Sequence, residues 1–418
     1  MKDGQSRKEV HAAGMAHVAA LLRASLAGLP PPEVPDWALV FNLAVSHGIA
    51  AHLFPYVKRV APSAGIPPEV VAAWRTRAFR IAMEGAGIAA QRAELLDALH
   101  AASIPCVPVK GAWFAAKLYG PDAARTMSDL DIMVRREDMR RTLGVLAADG
   151  YSVREVADAD NKFFNEVTVT SGKYPRGVEL HWTFDQPNDD RMPASPMERL
   201  WDGARADSLE GHPCLALAPE DHLVLLANHL LHHYFAMPLR SHLDMALLLR
   251  HLAGSGCDMD RLRGTAKEWR MERAVSLAVA VAADMFGAPA KLREIGLVPP
   301  DDWAREEREI AIDLSFRVQD ERPPSAANSL NEFRRRGLFG RIRYIAGRIA
   351  VPSEMIRARY PWADTPAKML WARCVRVRDL FASHGRDTAR ILASHDSSSP
   401  DFLSATERRS KLFGWALK

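Results

Sequence analysis

Two aspartates in the segment Asp129–Val134, which reads DLDIMV, have the clearest chemical potential in the chain. On an extended strand successive side chains point to opposite faces, so Asp129 and Asp131 share one face while Leu130 and Ile132 share the other. Two carboxylates about 7 Å apart on one face repel each other unless a cation lies between them. Oxygen ligands favour Mg²⁺ or Mn²⁺, and such a site can bind a triphosphate for a two-metal phosphoryl displacement.

The neighbouring residues favour this chemistry over a solvated strand end, the commoner setting of an isolated D-x-D pair. Gly111 follows a short extended run and opens a helix, where free backbone N–H groups and the helix dipole attract phosphate. Arg125 lies just upstream of the aspartates and is suited to neutralise phosphate charge. In the segment VELHW, alternation places Glu179 and His181 on one face, which predicts a third carboxylate at the site.

The elements that must position these residues form a short mixed pattern in the middle of the chain. Ile104–Val109 is a predicted strand, and Pro108 predicts that it is either an edge strand or an irregular one. Helices and strands then alternate, which predicts a small mixed sheet with helices packed on it. The predicted helices are Ala112–Tyr119 and Glu137–Asp149, and the predicted strands are Leu130–Val134, Phe163–Thr170 and Val178–Phe184.

Helical patterns dominate on both sides of this core. Helices are predicted over Asp36–His47, over Pro67–Ala102 and, after the core, from Pro219 onward. The fold class is therefore α+β, mostly helical, with N-terminal and C-terminal helical regions flanking a small mixed-sheet core. The predicted regions are 1–103 (helical), 104–215 (core), 216–393 (helical) and 394–418 (a flexible tail).

Composition argues against a disulfide-rich, a zinc-knuckle and a membrane-spanning protein. The 418 residues carry 55 Lys and Arg against 51 Asp and Glu, a net charge of +4, with 48% hydrophobic residues. These values are typical of globular proteins and give no argument for nucleic acid as a partner. Four scattered cysteines indicate neither a disulfide framework nor a zinc knuckle. The longest apolar stretch, Ala274–Ala283, is half of the roughly 20 residues that a spanning helix needs. His17 and Arg23 argue against a signal peptide. We therefore expect a cytoplasmic protein with no membrane partner.

Several short motifs along the chain belong together: Lys110-Gly111, Arg125, Ser128-Asp129-Leu130-Asp131, Glu179-Leu180-His181-Trp182, Pro219-Glu220-Asp221, His229, His233 and Leu243-Asp244. They resemble the bacterial uncharacterised nucleotidyltransferase family of the DNA polymerase β-like superfamily, over roughly Val40 to Leu252. The resemblance implies a nucleotidyltransferase core in which Asp129, Asp131 and Glu179 hold Mg²⁺ or Mn²⁺. Glu179 would ligate metal or activate the acceptor hydroxyl.

The resemblance also assigns substrate-binding residues, with one departure from the superfamily pattern. The usual Gly-Ser pair is replaced here by Lys110-Gly111-Ala112, eighteen residues before Asp129 when counted from Gly111. In the absence of the serine, backbone N–H groups and Lys110 would contact the phosphate. The remaining substrate-binding candidates are Arg125, Ser128, His181, His229 and His233.

A set of histidines and a segment rich in arginine each allow more than one interpretation. His222, His229 and His233 share one helical face, which suits a nucleotide or acceptor contact, a zinc pair at His229 and His233, or ordinary packing. The segment Arg334–Arg348 holds six arginines and no acid, and is either a basic helical face or an anion-binding surface.

The predicted function is transfer of NMP from a nucleoside triphosphate such as ATP to an acceptor, with release of pyrophosphate. The acceptor is a small metabolite, a peptide or a protein, and a nucleic acid such as tRNA is less expected but compatible with the residues. The resemblance implies a setting in natural-product biosynthesis. The alternative is an inactive protein that keeps the fold for nucleotide sensing, for an antitoxin-like role or as a biosynthetic accessory.

Overall fold

The computed structural model describes residues 2–119, 125–153, 165–174, 176–184, 196–317, parts of 353–379, and 400–417. The chain forms two compact units, one of residues 1–155, 162–317 and 415–418, the other of residues 156–161 and 318–414. The predicted fold class, α+β and mostly helical, is confirmed. The division into four regions stays a prediction. Arg334–Arg348 and the first six residues of the predicted tail, 394–399, lie outside the described residues.

Four helices precede the sheet, and their start signals are legible in the sequence. The predicted helices over Asp36–His47 and Pro67–Ala102 are both present. Asp36 caps the first of them by accepting a hydrogen bond from the Leu39 N–H at 2.8 Å, and Pro68 occupies the first turn of the second. The four helices are α1 (Lys2–Ala27), α2 (Trp37–Ser46), α3 (Ala50–Ala64) and α4 (Pro68–Ala101).

One stretch of α1 has the length and hydropathy of a membrane-spanning helix. Glu9–Ala27 is long and apolar enough to cross a membrane by length and composition alone. A helix in the core of a soluble protein and a signal sequence meet the same test, so this finding is weak evidence.

The central sheet has five strands in the order β1-β2-β5-β4-β3. Strands β2 and β5 are parallel and the other neighbours are antiparallel, so the predicted mixed sheet is confirmed. Strand β1 lies at the edge, where Pro108 costs no ladder hydrogen bond on the open side. The elements in chain order are β1 (Cys106–Pro108), α5 (Gly111–Lys117), β2 (Asp129–Val134), α6 (Met139–Ala148), β3 (Tyr151–Val153), β4 (Glu166–Ser171) and β5 (Gly177–His181).

The register of β2, β5 and β4 brings the polar site residues together on one face of the sheet. Asp131 pairs with Glu179, and His181 pairs with Met133 on one side and Glu166 on the other. The alternate positions Leu130, Ile132, Val134, Val178 and Leu180 are fully buried. Each such side chain contributes about 1.5–3 kcal/mol by burial, so a slip of one residue is strongly disfavoured. Hydrophobic burial therefore fixes where the carboxylates meet.

A hairpin and a series of helices follow the sheet. The hairpin has a two-residue turn, Glu210-Gly211, in which both φ angles are positive. It was not predicted, although glycine at the second turn position is a known hairpin signal. The elements are α7 (Met197–Gly203), β6 (Arg205–Leu209), β7 (His212–Ala216), α8 (Pro219–His232), α9 (Leu239–Ser255), α10 (Met259–Glu268), α11 (Glu272–Phe286), α12 (Ala290–Glu294) and α13 (Arg305–Phe316), and a further helix covers Pro400–Ala416.

Candidate active site

Asp131 is the centre of a polar cluster on the face of the sheet formed by β2 and β5. Its side chain is buried, at 5% exposure. Lys110 Nζ donates a hydrogen bond to Asp131 Oδ1 at 2.7 Å, and His181 Nε2 lies 2.9 Å from the same oxygen. Lys110 Nζ and His181 Nε2 are themselves 3.3 Å apart. The pairing of β2 with β5 brings Asp131 and His181 together, and the pairing of β1 with β2 brings Lys110 to the same place.

Two glutamates extend this cluster across the sheet. Glu179 Oε2 lies 3.7 Å from His181 Nε2, and Glu166 Oε2 lies 3.1 Å from His181 Nδ1. Nδ1 makes no hydrogen bond in this geometry. Glu166 is absent from the sequence-based site, although it lies on the polar face of the predicted strand Phe163–Thr170 and alternates with buried Val167 and Val169. That alternation is the signal by which it was detectable.

The protonation behaviour of the cluster indicates a shortage of positive charge. Burial, with repulsion from Asp131 and Glu166, raises the pKa of Glu179 to about 8. Burial also acts to raise the pKa of Asp131, but the charges and hydrogen bonds of Lys110 and His181 outweigh it and hold that pKa well below its usual range. One ammonium group thus serves several carboxylates, and a further cation would let Glu179 ionise near neutral pH.

The donor set fits a divalent cation. One ligand atom from each of Asp131, Glu179 and His181 lies within 4.8 Å of the others. Two carboxylates and an imidazole suit first-row divalent metals, and the Glu166 carboxylate lies beside the Nδ1 side of the ring. Asp129, predicted as a ligand, lies outside this set of three and stands at the first residue of β2.

Lys110 holds a backbone conformation that favours glycine. Its φ is 47° and its ψ is −127°, at the residue that precedes α5. A non-glycine residue there costs on the order of 1–3 kcal/mol, and such strain is typical of functional sites. The next residue is Gly111, where an added Cβ would lie 2.5 Å from Arg125 Nη1. The close approach of the Arg125 guanidinium to this turn explains why glycine is required.

The guanidinium of Arg125 forms a buried ion pair with Asp244. Its Nε and Nη2 atoms donate to the two carboxylate oxygens of Asp244 at 2.9 and 2.7 Å, and Tyr119 Oη donates to the same carboxylate at 2.8 Å. The Arg125 and Asp244 side chains are 8% and 1% exposed. Burial acts to lower the pKa of Arg125, but Asp244 outweighs it and the pKa is raised. Arg125 therefore anchors the segment before β2 onto α9.

The histidines of α8 separate into different surroundings. Burial, Lys110 and His233 lower the pKa of His229 well below its ordinary value, so its ring is neutral beside the Lys110–Asp131 pair. His233 is exposed just beyond the end of α8, with its ring 4.8 Å from that of His229. His222 stacks on Trp113 at 4.0 Å instead. Among the described residues, no group of three possible metal ligands includes a histidine of α8.

The structure thus brings together four of the ten site residues singled out from the sequence. Lys110, Asp131, Glu179 and His181 are in one cluster, and His229 lies within its electrostatic influence. Ser128 is exposed at the residue before β2.

A small mixed sheet with clustered carboxylates on one face, set among helices, has the organisation of a nucleotidyltransferase core. Residues 33–287 match the family described as uncharacterised nucleotidyltransferase, and the chain belongs to this family. The match contains the predicted span from Val40 to Leu252. The protein is accordingly a nucleotidyltransferase, a transferase of phosphorus-containing groups. No curated protein and no solved structure matches the chain.

Proposed function

We propose that the protein transfers NMP from a nucleoside triphosphate to an acceptor, with Mg²⁺ or Mn²⁺ as cofactor and pyrophosphate as second product. The observation that carries this proposal is the cluster of Asp131, Glu179 and His181 on the sheet of a nucleotidyltransferase. Asp131, Glu179 and His181 would hold the cation, with Asp129 as a further carboxylate beside them. The cation supplies charge neutralisation at the phosphoryl oxygens.

The reaction joins the acceptor oxygen to the α-phosphorus and breaks the bond between that phosphorus and the bridging oxygen of pyrophosphate. Glu179 would accept the acceptor proton if it does not ligate the cation, because the charge of a cation nearby would let this carboxyl, whose pKa is otherwise raised to about 8, ionise near neutral pH. Lys110 and the backbone N–H of Gly111 would contact the triphosphate. Ser128, His229 and His233 would contact nucleotide or acceptor, while Arg125 positions the segment that carries Ser128.

The acceptor in this proposal is a small metabolite, a peptide or a protein, in the cytoplasm, and ATP is one candidate nucleotide. A peptide acceptor would suit a role in natural-product biosynthesis. The net charge of +4 gives nucleic acid no particular support.

The test uses the four α-³²P-labelled nucleoside triphosphates with Mg²⁺ or Mn²⁺, and follows label on the protein itself and on components of a cell lysate. The double variant Asp131→Asn/Glu179→Gln should lose label transfer and Mn²⁺ binding measured by electron paramagnetic resonance. Glu198→Gln is the matched control, because this carboxylate is 81% exposed on α7. Label transfer by the double variant at the wild-type rate would show that the site is wrongly placed.

A second candidate function is nucleotide binding without transfer. The observation that favours it is the Lys110–Asp131 ion pair at 2.7 Å, which gives the central carboxylate a partner without any metal. Calorimetry that detects ATP binding, together with no pyrophosphate release in any acceptor pool, would support this function over the first.

A further inference from the structure

Hydrogen bonds hold Arg240 next to the segment that precedes strand β2. It is the second residue of α9, and its Nη1 donates to the Thr126 carbonyl oxygen at 2.9 Å and to Thr126 Oγ1 at 3.1 Å. Thr126 in turn donates from Oγ1 to the Gly48 carbonyl at 3.0 Å. Because Asp129 follows three residues after Thr126, these bonds hold the guanidinium within a short distance of the start of β2.

The hydrogen-bonding capacity of Arg240 is only partly used. A guanidinium offers five N–H donors in a fixed plane. Among the described residues, only the Nη1 atom finds a partner, and Nε is buried without one. A buried donor without a partner is destabilising, and a ligand oxygen that accepts from it would offset that cost.

The charge balance around Arg240 points to an anion. Asp244 is fully engaged by Arg125 and Tyr119, and no carboxylate of the described chain lies within ion-pair distance of Arg240. Burial and the charge of Arg125 lower the pKa of Arg240, whereas Asp244 and the more weakly felt Asp129 raise it. Arg125 pairs with Asp244, so the Arg240 guanidinium has no carboxylate of its own among the described residues.

We propose that Arg240 binds phosphate oxygens of the nucleotide's triphosphate group. This inference rests on the proposed function and deepens it by naming a phosphate-binding residue that neither the motifs nor the family match assigns. The planar fork of Arg suits paired phosphate oxygens, and its anchorage to Thr126 lowers the entropy lost on binding. Arg125, held by Asp244, then acts as a positioning residue rather than a phosphate contact.

Inorganic tripolyphosphate is the probe, titrated calorimetrically into the full-length protein in the presence of Mg²⁺. We expect Arg240→Gln to raise the Kd for tripolyphosphate by about 10- to 100-fold, the loss typical of a hydrogen bond to a charged group. Arg250→Gln is the matched control on the same helix, because Arg250 donates to the Phe286 and Gly287 carbonyls. Its Kd should stay within about twofold of wild type.

A second variant separates phosphate binding from support of the loop. Thr126→Val removes one acceptor of Arg240 and leaves the guanidinium, so its effect on the Kd should be much smaller than that of Arg240→Gln. An equal loss in both variants would show that Arg240 acts only through Thr126 and would overturn the proposal. Arg240→Lys keeps the charge without the fork, and should bind tripolyphosphate more weakly than wild type if Arg240→Gln does not fold.

Two further outcomes distinguish this inference from the function on which it rests. If the wild type binds tripolyphosphate and Arg240→Gln binds it equally well, Arg240 is not a phosphate contact, while the proposed function stands. If the wild type binds Mn²⁺ and yet binds no tripolyphosphate, both proposals are wrong.

Discussion

Replacement of Asp244 by asparagine should strongly destabilise the unit that contains the sheet. Asp244 accepts three hydrogen bonds, two from Arg125 and one from Tyr119, and its side chain is 1% exposed. The substituted amide keeps an acceptor but no charge, so the buried Arg125 guanidinium loses its counter-charge. Removal of one partner of a buried ion pair costs about 3–5 kcal/mol, a large share of the roughly 5–15 kcal/mol that stabilises a typical domain.

The assay is unfolding in guanidinium chloride, followed by circular dichroism and by tryptophan fluorescence. Asp207→Asn is the matched control, since Asp207 pairs with Lys117 at 3.5 Å while 42% exposed. Loss of such an exposed pair costs at most about 1 kcal/mol. In addition, the double variant Arg125→Met/Asp244→Leu should be more stable than Asp244→Asn, because the Arg125 charge is then no longer buried without its partner.

The reasoning is refuted if Asp244→Asn and Asp207→Asn shift the unfolding midpoint equally. It is also refuted if the double variant is less stable than Asp244→Asn, because the buried charge would then not be the source of the loss.

Three further predictions concern stability. Burial lowers the pKa of His242 to about 4 from 6.5, so the unfolded chain binds more protons between these values and stability falls as the pH falls from 6.5 to 4. This group contributes about 3 kcal/mol of that loss, and His242→Gln should flatten the plot of unfolding free energy against pH. Trp74→Ala should cost about 3–5 kcal/mol because Trp74 is fully buried, whereas Phe79→Ala on the same helix, at 68% exposure, should cost under about 0.5 kcal/mol in urea unfolding. Gly48→Ala should lower the melting temperature more than Gly28→Ala, because φ is positive at both but only at Gly48 would a Cβ meet Thr126 Oγ1, at 2.7 Å. Equal shifts at the two glycines would contradict the steric argument.

The predicted elements of the core depended on local patterns, and most were confirmed for that reason. Alternation in Asp129–Val134 and Gly177–His181 was sufficient to find both strands and to put Asp131 and Glu179 on polar faces. Proline at a helix start identified α4 and α8. Strand β3 has only three residues, and the side chains of the β6–β7 hairpin are mostly exposed or half-buried and show no apolar alternation, so neither was predicted.

The composition of the site could be only partly predicted, because it depends on pairing between distant segments. Sequence spacing favoured Asp129 as the partner of Asp131, yet the parallel register places Glu179 opposite Asp131 and puts His181 within 2.9 Å of it. Glu166 joins only because β4 runs antiparallel to β5. These residues come from different strands, up to 50 residues apart in sequence. No local periodicity links them, so the sequence pattern of one strand does not predict its neighbour.

Arg125 illustrates the same limit at longer range. Its position before the aspartates suggested a phosphate contact, but its guanidinium is held by a carboxylate 119 residues away. Its neighbour Arg240, with donors to spare, carries no local motif.

By itself, the sequence determined which side chains of each strand face the same way, because side-chain direction follows from the covalent geometry of the extended backbone. It also determined the helical ends that caps and prolines specify. Only the tertiary structure decided that Lys110 meets Asp131 and that Asp244 meets Arg125 rather than Arg240. Those choices depend on which buried charges are left without a partner once the apolar faces have packed, and that balance exists only in the folded chain.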